Sequence, residues 1–202
     1  MKLTAIKAQT KNPNRVSVFV DGKYAFSLGQ GQLLEARLHV GLEIDQARLA
    51  ELKKLSDFGK LHDRILRYVL LRPHAEREVL DYCRRKQFDM PACRQIIETF
   101  TRLGYINDAA FAKLWVESRQ LGKAMSKRAL KLELKRKGIS DELITQALSE
   151  KAYDEIDALR SLIAKKQRLT RFKNDPQKLL QYLARQGFGF DDIKEALRVG
   201  ED

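Results

Sequence analysis

The chain repeats itself. When Gln87, Gly138 and Gly187 are superimposed, three segments align without gaps at spacings of 51 and 49 residues. Eight residues before these anchors stand Val79, Leu130 and Leu179, and four before stand Cys83, Leu134 and Leu183. Two before stand Arg85, Arg136 and Arg185, and one after stand Phe88, Ile139 and Phe188. Six and ten after come Cys93 and Ile97, Ile144 and Leu148, Ile193 and Leu197. Apolar residues four apart on both sides of each anchor describe two amphipathic helices that meet there. The anchor then lies just beyond a helix end, where positive φ costs glycine no Cβ clash and the next apolar residue folds back on the last turn, as in a Schellman motif. Gly138 and Gly187 are therefore expected at positive φ. The following helix is expected behind Asp89, Ser140 and Phe190-Asp191, and Asp175 is expected as an N-cap with Pro176 at the first helical position. A further helix precedes each pair, over about 61–71, 108–120 and 154–169 by the same periodicity. Three-helix units of about fifty residues bury too little surface to stand alone, so neighbours are expected to share core.

Before about residue 58 the repeat is absent and the pattern changes to alternation. Val16, Val18 and Val20 share one face of a strand, Asp21-Gly22 suits a two-residue type I′ turn, and alternation resumes after it with Tyr24, Phe26 and Leu28 expected on one face. An earlier strand near 3–8 reaches the second through Asn12-Pro13-Asn14. A three-stranded sheet needs one face covered, and the apolar residues of 33–55 are expected to supply helices for that purpose. With no repeat residue inside it, the hairpin reads as a separable module. The expected fold class is mainly α, with three tandem three-helix, helix-turn-helix-like repeats preceded by a small N-terminal antiparallel β-meander. The expected divisions are 1–57 for the meander and its covering helices, then 58–107, 108–152 and 153–202 for the repeats.

Lys and Arg number 39 against 27 Asp and Glu, a net charge of +12, which favours a large anionic partner. The first residues, MKLTAIKAQTKNPNR, hold no apolar run suited to a signal peptide, and no stretch approaches the roughly 20 apolar residues of a membrane span. A cytoplasmic protein without a membrane partner is expected. Cys83 and Cys93 have the spacing of neither a zinc site nor a redox pair and read as reduced thiols on helices. His39, His62 and His74 are isolated in sequence. No nucleotide-binding, metalloprotease or nucleophile-elbow motif occurs. Gly29-Gln30-Gly31 follows a strand without the third glycine of a dinucleotide fingerprint. Asp141-Glu142 and Asp191-Asp192 lie where helices begin and suit the helix dipole. No enzyme activity, metal or cofactor is expected.

The charge is concentrated. Residues 118–137 hold eight basic residues, Arg119, Lys123, Lys127, Arg128, Lys131, Lys135, Arg136 and Lys137, against the single acid Glu133. On a helix starting near Ser126, Lys127, Lys131 and Lys135 recur every four residues with Arg128 beside them, while Leu130 and Leu134 point elsewhere. A mixed-sign helix face is usually just solvated. A nearly single-sign stripe is better explained by binding. A second cluster, Lys165, Lys166, Arg168, Arg171 and Lys173, spans the third repeat's first helix and its exit, whereas Arg84-Arg85-Lys86 is accounted for by a helix C-terminus.

The stretch Leu103-Gly104-Tyr105-Ile106-Asn107-Asp108, continued by Phe111-Ala112, Trp115 and Ser118-Arg119, resembles a signature of the RecX family. Leu134-Lys135-Arg136-Lys137-Gly138-Ile139 is similar to a second family element, and Gln186-Gly187-Phe188 with Ile193 resembles the closing one. Arg77-Glu78-Val79 and Tyr82 fit the first repeat, and the N-terminal hairpin resembles an extension found in many members. The chain departs from the pattern at Gln87, where the repeats prefer glycine, and at Ala75, where a capping serine is common. The resemblance covers nearly the whole chain. It implies a monomeric protein that lies in the groove of the RecA–single-stranded DNA filament. It also implies inhibition of filament extension, ATPase activity and strand exchange, with a role in DNA recombination, repair and the SOS response. Some direct affinity for single-stranded DNA is implied too, with double-stranded DNA a further candidate.

Two other classes fit less well. A helix-turn-helix transcription regulator would need base-reading donors on an exposed helix, and this stripe is mostly lysine, which suits phosphate. A nuclease would need a cluster of carboxylates and histidines.

Overall fold

The computed structural model describes every residue except 11, 122–124, 150–152, 174 and 199–202. The chain forms two compact units, one of residues 1–71 and 83–98, the other of residues 72–82 and 99–202.

In the first unit β1 (Leu3–Gln9), β2 (Asn12–Val20) and β3 (Lys23–Gly29) form an antiparallel sheet in that order. Asp21 and Gly22 take φ of 47° and 76°, the left-handed pair that a type I′ turn requires. Val16, Val18, Val20, Phe26 and Leu28 face a core closed by Leu49 and Leu52. Those leucines belong to α2 (Gln46–Val69), which follows the short α1 (Gln30–Glu35). The helix expected from about residue 61 thus begins at Gln46, where Asp45 caps it by accepting from the Arg48 amide at 2.7 Å.

The sheet is not the separable module read from the sequence. Arg15 of β2 is only 5% exposed. Its guanidinium meets Asp63 of α2 at 2.8 Å and donates to the Ser27 and Ser56 carbonyls at 2.8 and 3.4 Å. The Ser27 amide donates to Ser56 Oγ at 3.3 Å, so α2 also satisfies backbone groups of β3. An arginine alternating with core valines reads as solvent-facing, and its carboxylate lies 48 residues further on, beyond the reach of a periodicity argument.

All three anchors build the same turn. After α3 (Glu76–Arg85), Gln87 (φ 54°) donates to the Arg84 carbonyl at 3.0 Å and Phe88 to that of Cys83 at 3.1 Å. After α6 (Lys127–Arg136), Gly138 (φ 85°) and Ile139 donate to Lys135 and Leu134 at 3.0 and 3.1 Å. After α10 (Pro176–Arg185), Gly187 (φ 89°) and Phe188 donate to Ala184 and Leu183 at 2.9 and 3.4 Å. These paired bonds close a Schellman motif each time. Gln87 adopts it in spite of its Cβ.

The helices that follow the anchors are α4 (Met90–Arg102), α7 (Asp141–Ala147) and α11 (Phe190–Arg198); α5 (Asp108–Leu121) and α8 (Glu155–Gln167) open the second and third repeats. In the second unit a single core runs from Ala75 through Phe111, Leu130 and Leu134 to Leu159, Leu183 and Ile193, so the repeats share it. Two expectations are corrected here. The helix expected over 154–169 stops at Gln167 and is followed by the short α9 (Thr170–Lys173). The last helix starts at Phe190 with Gly189 in the capping position, its carbonyl accepting from Ile193 at 3.0 Å, rather than behind Phe190-Asp191. Asp175 does cap α10, accepting from the Lys178 amide at 2.9 Å, with Pro176 first in the helix.

The joint between neighbouring repeats recurs in register. The Glu76 amide, first of α3, donates at 2.9 Å to Asp108, at the start of α5. The Lys127 amide, first of α6, donates at 2.9 Å to Glu155, at the start of α8. Each helix N-terminus, whose first amides lack intrahelical acceptors, thus takes one from the next repeat. The arginine one position on, Arg77 or Arg128, lies against the next repeat's anchor glycine, Gly138 or Gly187. At the second joint Ser126 accepts from the Ala129 amide and donates to the Gln186 carbonyl at 2.8 Å. In the third repeat the position of Glu76 and Lys127 is Pro176, which has no amide proton to give.

Candidate functional site

Because Leu130 and Leu134 of α6 are buried, helical geometry turns Arg128, Lys131, Lys135 and Arg136 outward. All four are exposed, with Leu132 among them at 51% exposure. Lys127 is half-buried at the edge of this face, where it lines a cavity with Tyr153, Asp154, Glu155 and Asp192. The stripe read from four-residue spacing is therefore rotated: its exposed centre is Arg128 and Arg136 rather than Lys127.

Two acids from outside the segment partly neutralise it. Asp141, first in α7, lies 3.0 Å from Lys135 and 3.7 Å from Lys131. The Lys135 hydrogen bond is the main cause holding the Asp141 carboxyl below its usual range. Glu78 of α3 binds Lys137 and, through its other oxygen, Arg72 at 3.0 Å.

Arg119 and Lys137 are engaged inside the unit. The Arg119 guanidinium carbon and the Lys137 ammonium lie 4.6 and 4.7 Å from the Trp115 ring centroid. Arg119 Nε and Trp115 Nε1 both donate to Glu133 Oε2, at 3.0 and 2.9 Å. These contacts tie α5 to α6, a packing role that charge counting cannot distinguish from a free cation. Lys123 lies outside the described residues.

The third repeat's cluster differs. Lys165, Arg168 and Arg171 are exposed at the end of α8 and on α9, and Lys166 is half-buried with its ammonium 4.9 Å from the Tyr182 centroid. Arg171 lies 4.5 Å from the Phe172 centroid. Among the described residues no carboxylate approaches these four cations within 4.0 Å. Lys165 and Lys166 also sit in the last turn of α8, where the helix dipole favours them.

Elsewhere the chemistry is quiet. Both cysteines are buried, and burial pushes the Cys83 thiol up to about 12 and raises that of Cys93, so neither is a ready nucleophile. Among the described residues no group of three or more His, Cys, Asp or Glu could hold a metal ion, and no helix is long and apolar enough to cross a membrane. A cavity of about 570 Å³ between α5 and α7 is lined chiefly by Ala109, Ala110, Val116, Leu143 and Ala147, with Lys113 and Glu117 at its polar side.

Residues 1–45 match the family model of the regulatory protein RecX N-terminal domain. Residues 107–148 match that of the RecX second three-helix domain, and 153–197 that of the third. The regulatory protein RecX of Bacillus pumilus (strain SAFR-032) is 33% identical over 206 residues, covering 99% of this chain and 78% of that protein. The chain belongs to the RecX family. The regulatory protein RecX of Bacillus subtilis (strain 168) is 30% identical, covering 96% of this chain and 75% of its own length. A crystal structure of a regulatory protein RecX superimposes with a TM-score of 0.79 at 24% identity, over 96% of this chain and 98% of the other. That of RecX from Lactobacillus salivarius gives 0.59 at 25% identity over 70% of this chain. The exposed α6 cations all fall within the RecX second three-helix domain, and the α8–α9 cluster within the third. What sequence reading missed were the counter-charges. Glu78 lies 59 residues from Lys137, and Asp141 was fully accounted for as a helix-dipole acid.

Proposed function

We propose that this chain binds the RecA–single-stranded DNA filament and inhibits its extension, ATPase activity and strand exchange. It does so as a cytoplasmic monomer without catalysis, cofactor or metal, within DNA recombination, repair and the SOS response. The observation that carries this reading is the exposed, largely unpaired cation set, Arg128, Lys131, Lys135 and Arg136 on α6 with Lys165, Arg168 and Arg171 beyond it, on a member of the RecX family. A rigid helical scaffold holding cations of one sign suits recognition of a polyanionic surface. The remaining sequence-derived candidates, Arg119, Lys123, Lys127, Lys137 and Lys166, take supporting places. The deciding experiment is a RecA ATPase assay on single-stranded DNA with this protein titrated in. The rate falls with increasing protein; an unchanged rate at several-fold excess over recombinase rejects the proposal.

A further inference from the structure

The sheet has a second face, and its residues fit a different ligand chemistry from that of the helices. Register puts Phe19 of β2 opposite Tyr24 of β3, and Lys7 of β1 opposite Ser17. Ser17 and Phe19 alternate with the core-facing Val16 and Val18 and so stand, with Lys7, on the opposite face. Tyr24, two residues from the core-facing Phe26, is carried to that face by the register shift between Val18 and Phe19. The two rings meet edge to face, with centroids 6.1 Å apart and planes at 82°. The Lys7 ammonium stands 5.4 Å from the Phe19 centroid. Tyr24 is 54% exposed. Gln9 Nε2 donates to Ser17 Oγ at 3.1 Å, continuing the face with hydrogen-bonding groups.

We propose that this outer face is a stacking site for the bases of single-stranded nucleic acid, with Tyr24 and Phe19 as the platform and Lys7 directed at phosphate. Aromatic rings accept any base by stacking, while nearby cations follow the backbone. Charge favours this occupant: none of the three strands contains an Asp or Glu, and Lys7 is exposed beside the ring pair. An apolar protein surface would find polar Lys7, Gln9 and Ser17 across most of the face. A cross-strand aromatic pair also steadies a hairpin. That role alone calls for neither the exposed tyrosine nor the ammonium beside the pair. The platform is held rigidly, because Arg15 clamps β2 to α2 through Asp63. The site is additional to the helical cations and does not depend on the recombinase reading.

The test uses the full chain and fluorescence anisotropy with two labelled strands of equal length, oligo-dT and an abasic deoxyribose-phosphate oligomer. The wild-type protein is expected to prefer oligo-dT by roughly tenfold, the scale of a stacked base. Tyr24→Ala and Tyr24→Leu should abolish that preference, and Tyr24→Phe should keep it. The salt dependence of binding should be unaltered in all three, since tyrosine neutralises no phosphate. Equal wild-type affinity for the two strands overturns the proposal. So does a Tyr24→Leu variant that still prefers oligo-dT. RecA ATPase inhibition, read in a separate assay, reports on the function proposed above and leaves this outcome untouched.

Discussion

The side chain of Arg77 lies directly against Gly138: a Cβ placed on that glycine would stand 2.9 Å from both Cβ and Cδ of the arginine. Gly138 also sits at φ 85°, so any larger residue meets two penalties, one from the backbone and one from the joint between repeats. Gly104 separates them, since its φ is 80° with nothing within 4 Å of its own missing Cβ. Gly104→Ala should cost about 1 kcal/mol, the left-handed strain alone. Gly138→Ala should cost about 1–2 kcal/mol more from overlap with the arginine stem. Adding Arg77→Ala, which removes Cγ and Cδ but keeps Cβ, should recover part of that excess and none of the left-handed strain. Urea denaturation of the set gives the answer, and equal losses for the two glycine variants would show that the joint is loose.

Arg15 makes the sheet part of the first unit's core. Its side chain is 6% exposed, and its loss would take the guanidinium from Asp63, itself a third exposed, and one donor from each of the Ser27 and Ser56 carbonyls. Arg15→Ala should destabilise the protein by about 2 kcal/mol, the scale for losing hydrogen bonds from a buried charged donor. Deleting residues 1–28 should do more. It removes Val16, Val18, Val20, Phe26 and Leu28 from the core that Leu49 and Leu52 complete, so circular dichroism should show loss of α2. A truncation that keeps its full helical signal would refute this account of the sheet.

Acid should weaken the second unit in two stages. His74 is 2% exposed, its Nδ1 2.6 Å from the Arg72 carbonyl oxygen. Burial first, and the Arg72 charge second, hold its pKa below the ordinary 6.5. The unfolded chain therefore binds a proton that the folded chain resists, and stability falls as pH drops from 6.5 towards the folded value. Above 6.5 the contribution is complete. For Glu78, burial alone would raise the carboxyl, but the hydrogen bonds from Lys137 and Arg72 outweigh it and hold the group below 4.5. Its contribution is present above 4.5 and is lost as pH falls through the folded value. Melting temperatures across this range should fall less steeply between pH 6.5 and 4.5 in His74→Asn than in the wild type. Identical slopes would remove His74 from the account.

The repeat was legible because its signals are local. An i, i+4 apolar stripe, a residue with positive φ and a capping side chain all lie within one helical turn of each anchor, and even Gln87, without glycine's freedom, fell into alignment. The joints were not legible. Asp108 serves Glu76 across 32 residues, and Glu155 serves Lys127 across 28, pairs that no periodicity links. The candidate site was legible as charge but not as orientation. The spacing of Lys127, Lys131 and Lys135 defines a stripe, yet only the burial of Leu130 and Leu134 decides which edge of it faces water.

That orientation changes which residues to test. Arg128 and Arg136 are exposed with no carboxylate within 4.0 Å among the described residues, whereas Lys131 and Lys135 share Asp141. Lys127 is a poor choice, since Lys127→Glu would put a fourth carboxylate in the cavity with Asp154, Glu155 and Asp192. Arg128→Glu combined with Arg136→Glu should leave the fold within about 0.5 kcal/mol, as exposed substitutions usually do. It should weaken RecA inhibition more than the paired change of Lys131 and Lys135 to Glu. Asp141→Asn, which releases two lysines, should strengthen it. If the arginines meet phosphate, losing both should also flatten the log–log salt dependence of single-stranded DNA binding by about 1.4, or about 0.7 for each contact. If they meet acidic recombinase side chains, inhibition should weaken at unchanged DNA affinity. An arginine double variant that inhibits as well as the wild type would leave the exposed face of α6 as solvated surface and move the site to Lys165, Arg168 and Arg171.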